Sequence, residues 1–441
     1  MAEQPAFDFR IQKLGEPSIA SPMHLSHVDG DFISDFVTDS ERILHDHSLD
    51  AVVKCCQAGK TPASFEKAGP RDTIFFDPQQ SKAAVVTCGG LCPGLNDVIR
   101  GLVRCLWHNY GVREIYGIPY GYRGLNDQLG HEPVMLTPDV VEYIPSTAGT
   151  ILGSSRGPQP VSDMVDYLAR RGINMLFTIG GDGTQRGAQT LVEEIERRGL
   201  QIAVVGIPKT IDNDIMFVER SFGFDTAFSI ATQVISSAHA EAIGALNGVT
   251  IVKLMGRNSG FLAACSAVAS GDVNFCLVPE VPFDLDPPHG FLTALEKRLE
   301  RRKHAVVVVA EGAGARFVES QRDASGNIKP GDIGSYLYDR AKAYLEERNL
   351  PASVRYIDPS YIVRSQEATA TDRLYCLRLA YNAVHAAMSG RTSMIVGHWH
   401  TAFTHVPIAE AVSQRKAIDP EGPLWLSVLE TTDQPNRMVN A

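Results

Sequence analysis

No stretch of this chain approaches the roughly 20 consecutive apolar residues that a membrane span needs, so no membrane partner is expected. Positive charge is also short. The 41 Lys and Arg are outnumbered by 51 Asp and Glu, and a formal net charge of −10 argues against nonspecific nucleic-acid binding. The tight cysteine spacing of a small secreted protein is missing too. The eight cysteines (Cys55, Cys56, Cys88, Cys92, Cys105, Cys265, Cys276 and Cys376) are scattered, mostly in apolar runs, and read as reduced core thiols. Cys88 and Cys92 have no second pair to complete a zinc site. The first ten residues lack a basic start followed by an apolar run, and Met438-Val-Asn-Ala441 is not a peroxisomal address, which leaves the cytoplasm as the expected location.

What is present is an ordinary globular composition, with 44% hydrophobic residues and 38 glycines. A chain of 441 residues exceeds what one core usually organises, so two lobes are expected. Residues 1–80 are punctuated by Pro17, Pro22, Pro62, Pro70 and Pro78, with one helical stretch near 40–58, and read as an amino-terminal extension. From Lys82 onward, short β-branched runs are each followed by a glycine turn and a segment of helical period. Strands are predicted at Ala83–Thr87, Arg113–Ile118, Leu176–Ile179, Ile202–Ile207, Val249–Leu254 and Ala305–Val309, with helices at about 94–107, after Thr184, and after Asp225 as a cap. Continuous apolar strands alternating with helices mean an α/β fold with parallel sheets covered on both faces. Ligands of such sheets bind beyond the carboxyl ends of the strands.

The residues immediately after the strands carry the chemistry. Thr87 to Asn96 is glycine-rich, and in Gly180-Gly181-Asp182-Gly183-Thr184 the glycines let backbone amides approach polyphosphate oxygens at a helix start. A carboxylate among anions makes sense if Asp182 holds Mg²⁺. By itself this pentad indicates ATP and Mg²⁺ without naming the acceptor. Pro208-Lys209-Thr210-Ile211-Asp212-Asn213-Asp214 adds two carboxylates beside a lysine and a threonine, the set needed to accept a hydroxyl proton while a cation and a hydroxyl face the moving phosphoryl group.

With Leu254-Met-Gly-Arg-Asn-Ser-Gly260, these loops resemble the phosphofructokinase family, in order from about Lys82 to His405. The resemblance is strongest to its plant and trypanosomatid ATP-dependent branch. It implies two Rossmann-like three-layer lobes with mostly parallel sheets and the active site in the cleft between them. The nucleotide-binding lobe would be 81–225, with 363–410 returning to it; 226–362 would bind the sugar phosphate, and 411–441 would form a tail. Asp212 would be the general base for the 1-hydroxyl of fructose 6-phosphate, with Thr210 and Asp214 beside it. Gly90, Gly181, Gly183, Thr184 and Gly187 would line the nucleotide, Tyr122 would lie near the nucleoside, and Arg156 would face the transferring group. Met255, Gly256 and Arg257 would meet the sugar phosphate, Glu311 its hydroxyls, and Arg355 and Arg364 would clamp the 6-phosphate, with Tyr361 where many relatives carry histidine. Two planar guanidinium forks suit a phosphate dianion on chemical grounds as well. A homodimer or homotetramer is implied.

Gly183 bears on the donor, because pyrophosphate-using relatives carry an aspartate there that repels the α-phosphate of ATP. Lys209 points the other way, but a lysine coexists with either donor, and ATP is favoured. Two alternatives stay open: a pyrophosphate-dependent enzyme, and a catalytically silent sensor of nucleotide or sugar phosphate. Gly248 stands where bacterial relatives offer an arginine to a neighbouring subunit. Arg100 and Arg104 fall where some bacterial relatives bind an effector, although such a pair is normally a wet helix face. His398 and His400, placed by alternation on one face of a strand, lack a third close ligand for zinc.

Overall fold

The computed structural model describes residues 7–319, 321–322, 328–329 and 331–440. The chain divides into two compact units. The first comprises residues up to Thr210, Ile215–Phe222 and Glu367–Gln414; the second comprises Ile211–Asp214, Gly223–Gln366 and Arg415 onward. These bounds differ from the sequence expectation at both ends. The stretch read as an extension is part of the first unit, and most of the stretch read as a tail is part of the second.

The first unit is built on a nine-stranded sheet with the spatial order 42–44, 64–67, 402–407, 394–399, 203–208, 175–180, 82–87, 114–118 and 134–135. The five strands from 394–399 to 114–118 are parallel, as β-branched runs buried on both faces should be. The flanking strands are antiparallel, so the sheet is mixed. Met164, Val165 and Leu168 of helix Val161–Arg171 and Ala188, Leu191 and Ile195 of helix Asp182–Arg197 share one core cluster with Ala84, Val86, Leu176 and Val204. Helices Leu95–Arg104 and Ala370–Met388 pack against each other, closely enough that a Cβ on Gly101 would come 2.7 Å from the Ala380 methyl.

The second unit carries a four-stranded, wholly parallel sheet in the order 275–277, 304–310, 248–254 and 354–357. Val249, Ile251, Val307 and Val309 meet Leu292, Leu295 and Leu299 of helix Phe291–Arg302 and Leu337 and Ala341 of helix Ile333–Glu347 in its core. Among the described residues, no helix is long and apolar enough to cross a membrane.

Several local expectations shift. The predicted helix near 40–58 is confined to Leu49–Gln57, while Arg42–Leu44 is a strand. Helix Phe224–Ile243 starts from Gly223, whose φ of +81° lies in the left-handed region, so Asp225 sits inside the first turn rather than capping it. Strand Met394–Trp399 ends before His400, which has φ +46°, so the two histidines do not share a strand face. Instead His398 and His400 approach Glu219 at 3.6 and 3.5 Å, and His405 is buried 2.8 Å from Glu66.

Candidate active site

In the first unit, the strand Lys82–Thr87 pairs on one side with Glu114–Ile118 and on the other with Met175–Gly180. The chain order reverses there, and such a switch point is where open α/β sheets bind ligands. The two predicted phosphate loops follow the two strands that flank it. Cys88 N donates to Ile179 O at 2.9 Å, and Gly89 N donates to Ser155 O at 3.0 Å, which ties Thr150–Arg156 to the first loop and stands exposed Arg156 next to Gly89 and Gly90. Helix Asp182–Arg197 begins directly after Gly181, so its orphan amides face the same edge.

The glycines here serve different ends. Gly89 has φ +85°, and a Cβ would come 3.4 Å from Lys209 Nζ. A Cβ on Gly187 would come 2.7 Å from the Tyr122 ring, and Tyr122, itself buried, donates its hydroxyl to Thr184 O at 2.7 Å. Tyr122 therefore props the helix start from beneath. At Gly183 a Cβ would meet nothing within 4 Å, so no feature of this chain forces glycine there. Lys209 is buried, with its amino group donating to Gly90 O, so it braces the first loop.

Asp182 lies partly exposed at the first position of its helix, 3.2 Å from Arg186 Nε one turn on. Such a carboxylate beside the first amides of a helix fits Mg²⁺, which keeps several waters and takes one or two carboxylates together with phosphate oxygens.

In the second unit, Asp212 is partly accessible yet poorly hydrated. That desolvation, with Asp214 and Glu311 as like charges, pushes its carboxyl up to about 7, against the opposing Arg257. Arg257 also donates its backbone N–H to this carboxyl, and Ser259 Oγ donates to Asp212 O at 3.0 Å. The loops carrying Arg257 and Glu311 are laced together by Glu311 N to Leu254 O at 2.9 Å and Gly312 N to Gly256 O at 3.1 Å. Glu311 lies 3.8 Å from Arg257 Nε, and burial raises its carboxyl. Met255 and buried Gly256 precede Arg257 at the end of strand Gly248–Leu254. Arg364 lies 4.7 Å over the exposed Tyr361 ring, its Nε buried without a hydrogen-bond partner among the described residues.

One expectation is not met within a single chain. Arg355 pairs in register with Thr250, four residues before the strand end at Leu254, or about 13 Å back from the edge that carries Arg257. Its guanidinium is held by Glu241, at 2.8 Å from the carbonyl and 3.5 Å from the carboxylate, so within this chain Arg355 and Arg364 do not converge on one phosphate. Gly248 admits no side chain at all, since a Cβ would come 2.1 Å from Ala242 O. Sequence reasoning missed Arg415, Lys416 and Glu280, which lie near Asp214 or Gly260 but belong to no motif.

Comparison with known proteins bears on family and fold. The phosphofructokinase family model matches residues 82–387. An ATP-dependent 6-phosphofructokinase of Borreliella burgdorferi is 48% identical over 98% of this chain and 98% of its own length. One from Trypanosoma cruzi is 43% identical over 96% of this chain and 87% of its own. Among solved structures, the pyrophosphate-dependent phosphofructokinase of Marinobacter aquaeolei superposes with a TM-score of 0.66 at 20% identity, over 82% of this chain and 93% of that one, which establishes a shared fold.

Proposed function

This chain belongs to the phosphofructokinase family, and from that premise we propose how its residues divide the family's work. The chain transfers the γ-phosphoryl group of ATP to the 1-hydroxyl of fructose 6-phosphate, giving fructose 1,6-bisphosphate and ADP in glycolysis. What carries the mechanism is the setting of Asp212, whose loop is tied by Ser259 Oγ at 3.0 Å beside the Arg257–Glu311 pair, where desolvation and the neighbouring acids Asp214 and Glu311 raise its carboxyl. A base poised there accepts a proton at working pH more effectively than an ordinary carboxylate.

The hydroxyl oxygen bonds to the γ-phosphorus while the bond from that phosphorus to the β–γ bridging oxygen breaks. Its proton passes to Asp212, and the electron pair of the broken bond leaves on ADP. Gly90, Gly181, Gly183, Thr184 and Gly187 form or support the polyphosphate edge, with Tyr122 beneath Thr184 and Gly187. Arg156 faces the moving group, with Thr210 and Asp214 on either side of the base in the chain. Asp182 holds Mg²⁺, which supplies charge neutralisation to the polyphosphate. On the sugar side, Arg364 offers a buried Nε to the 6-phosphate, and Arg257 and Glu311 orient the ring hydroxyls.

ATP is preferred over pyrophosphate because the open space around Gly183 leaves room for the α-phosphate. We place the protein in the cytoplasm as a homodimer or homotetramer, on the family resemblance. A coupled assay offering ATP and pyrophosphate separately, each with Mg²⁺, tests the reading. Turnover of fructose 6-phosphate with ATP and none with pyrophosphate is expected; the reverse overturns the donor assignment, and turnover with neither favours a sensor.

A further inference from the structure

The segment after Gln414 contains no motif that points to chemistry, yet it runs back to the loop that carries the base. Arg415 Nη1 stands 2.7 Å from Asp214 Oδ2, and Lys416 N donates to Asp214 O at 2.9 Å. Two residues on, Ile418 N donates to Glu280 Oε1 at 2.9 Å, and that same oxygen accepts from Gly260 N at 2.9 Å. The segment thus grips the acceptor side at two points: the second carboxylate of Thr210-Ile-Asp-Asn-Asp214, and through Glu280 the glycine that ends Met255–Gly260. Asp214 is 6% exposed, whereas the Arg415 side chain keeps 40% of its exposure. Such a pair is anchored on one side and wet on the other.

Two carboxylates two residues apart in a poorly hydrated loop repel each other unless a cation offsets one of them. The charged groups facing Asp212 include Asp214, Glu311 and Arg257; those facing Glu311 include Arg257, Lys253, Asp358 and Arg364. We infer that Arg415 is a positioning residue for phosphoryl transfer, whose guanidinium turns the Asp214 carboxylate onto itself and offsets its charge beside Asp212, the base for the substrate hydroxyl. The inference rests on the reading of Asp212 as the base.

Replacing Arg415 uncovers the charge of Asp214, which disfavours ionisation of Asp212 and moves the acid limb of activity to higher pH by roughly one unit. The full-length Arg415→Met and Arg415→Lys variants, assayed for kcat across pH at saturating Mg-ATP, read this directly. A one-unit rise from a limb near 7 means a loss of about eightfold at pH 6.5 and under about twofold at pH 8.5, with KM for ATP unchanged and the limb restored in Arg415→Lys. The double variant Arg415→Met with Asp214→Asn should return the limb toward that of the unaltered protein. An unmoved limb, or a loss equal at all pH values, overturns the inference. If Arg415→Met does not fold, Asp214→Asn alone should lower the limb, and failure to do so overturns it equally. Asp212→Asn separates the two readings: a limb that persists in that variant removes the base itself, whereas a limb that vanishes there but ignores Arg415 removes only this inference.

Discussion

The two units line the ends of their parallel strands with different materials. In the first, the edge proposed for the polyphosphate is backbone: Gly89, Gly181, Gly183 and the amides that open helix Asp182–Arg197. In the second it is side chains in balance, with Arg257, Arg364 and Arg415 set against Asp212, Asp214 and Glu311. A backbone site depends on where a Cβ is missing, so adding atoms breaks it. A side-chain site depends on which groups are charged, so removing a charge or changing pH breaks it.

The largest effect should come from charge. Asp212→Asn deletes the base while keeping its shape, and kcat should fall by about 10²–10⁴-fold with the fold intact by circular dichroism; activity within a few-fold of the unaltered protein would dissolve the contrast. On the backbone side, two glycines should part company. Gly183→Asp faces open space, so it should lose roughly tenfold or more in kcat/KM for ATP at unchanged melting temperature. Gly248→Ala, whose methyl would press on Ala242 O, should cost about 3 kcal/mol of stability by denaturant titration.

The smallest effect concerns pH and has opposite signs in the two units. In the first, burial holds the imidazole of His405 down to about 4 and that of His385 down to about 3, while His405 and Arg391 help hold Glu66 down to about 2. Groups depressed in this way contribute stability above their unfolded values and lose it as pH falls, for the histidines from about 6.5 downward. Asp212 is raised instead, so its contribution is present below about 4 and is lost as pH climbs through 7. Asp212→Asn should therefore raise the melting temperature by a few degrees at pH 8 and by roughly a third as much at pH 5. His405→Gln should flatten the acid side alone.

The same division explains what could be read from sequence. Glycine loops are local: Gly180–Thr184 follows its own strand by spacing alone, and the structure puts it at the switch point. Ion balance is not local. Asp214 meets Arg415 across 201 residues, and no periodicity marks that arginine. Strands 42–44 and 64–67 escaped because they are short and because 64–67, on which 42–44 pairs, joins the sheet through 402–407, far along the chain. Arg355 misled for a related reason, since its place in a spaced pair of arginines carried no information about register beside Thr250. His400 was assigned to a strand by alternation, but a left-handed turn ends that strand one residue earlier.

The pH dependence of kcat/KM for fructose 6-phosphate puts the assignment of Asp212 to the most direct test, because that ratio reports the free protein's own titration. An acid limb near pH 7 that disappears from the residual activity of Asp212→Asn is the result expected. A limb that stays in place without that carboxyl, or a profile flat down to pH 5, would mean that another group takes the proton.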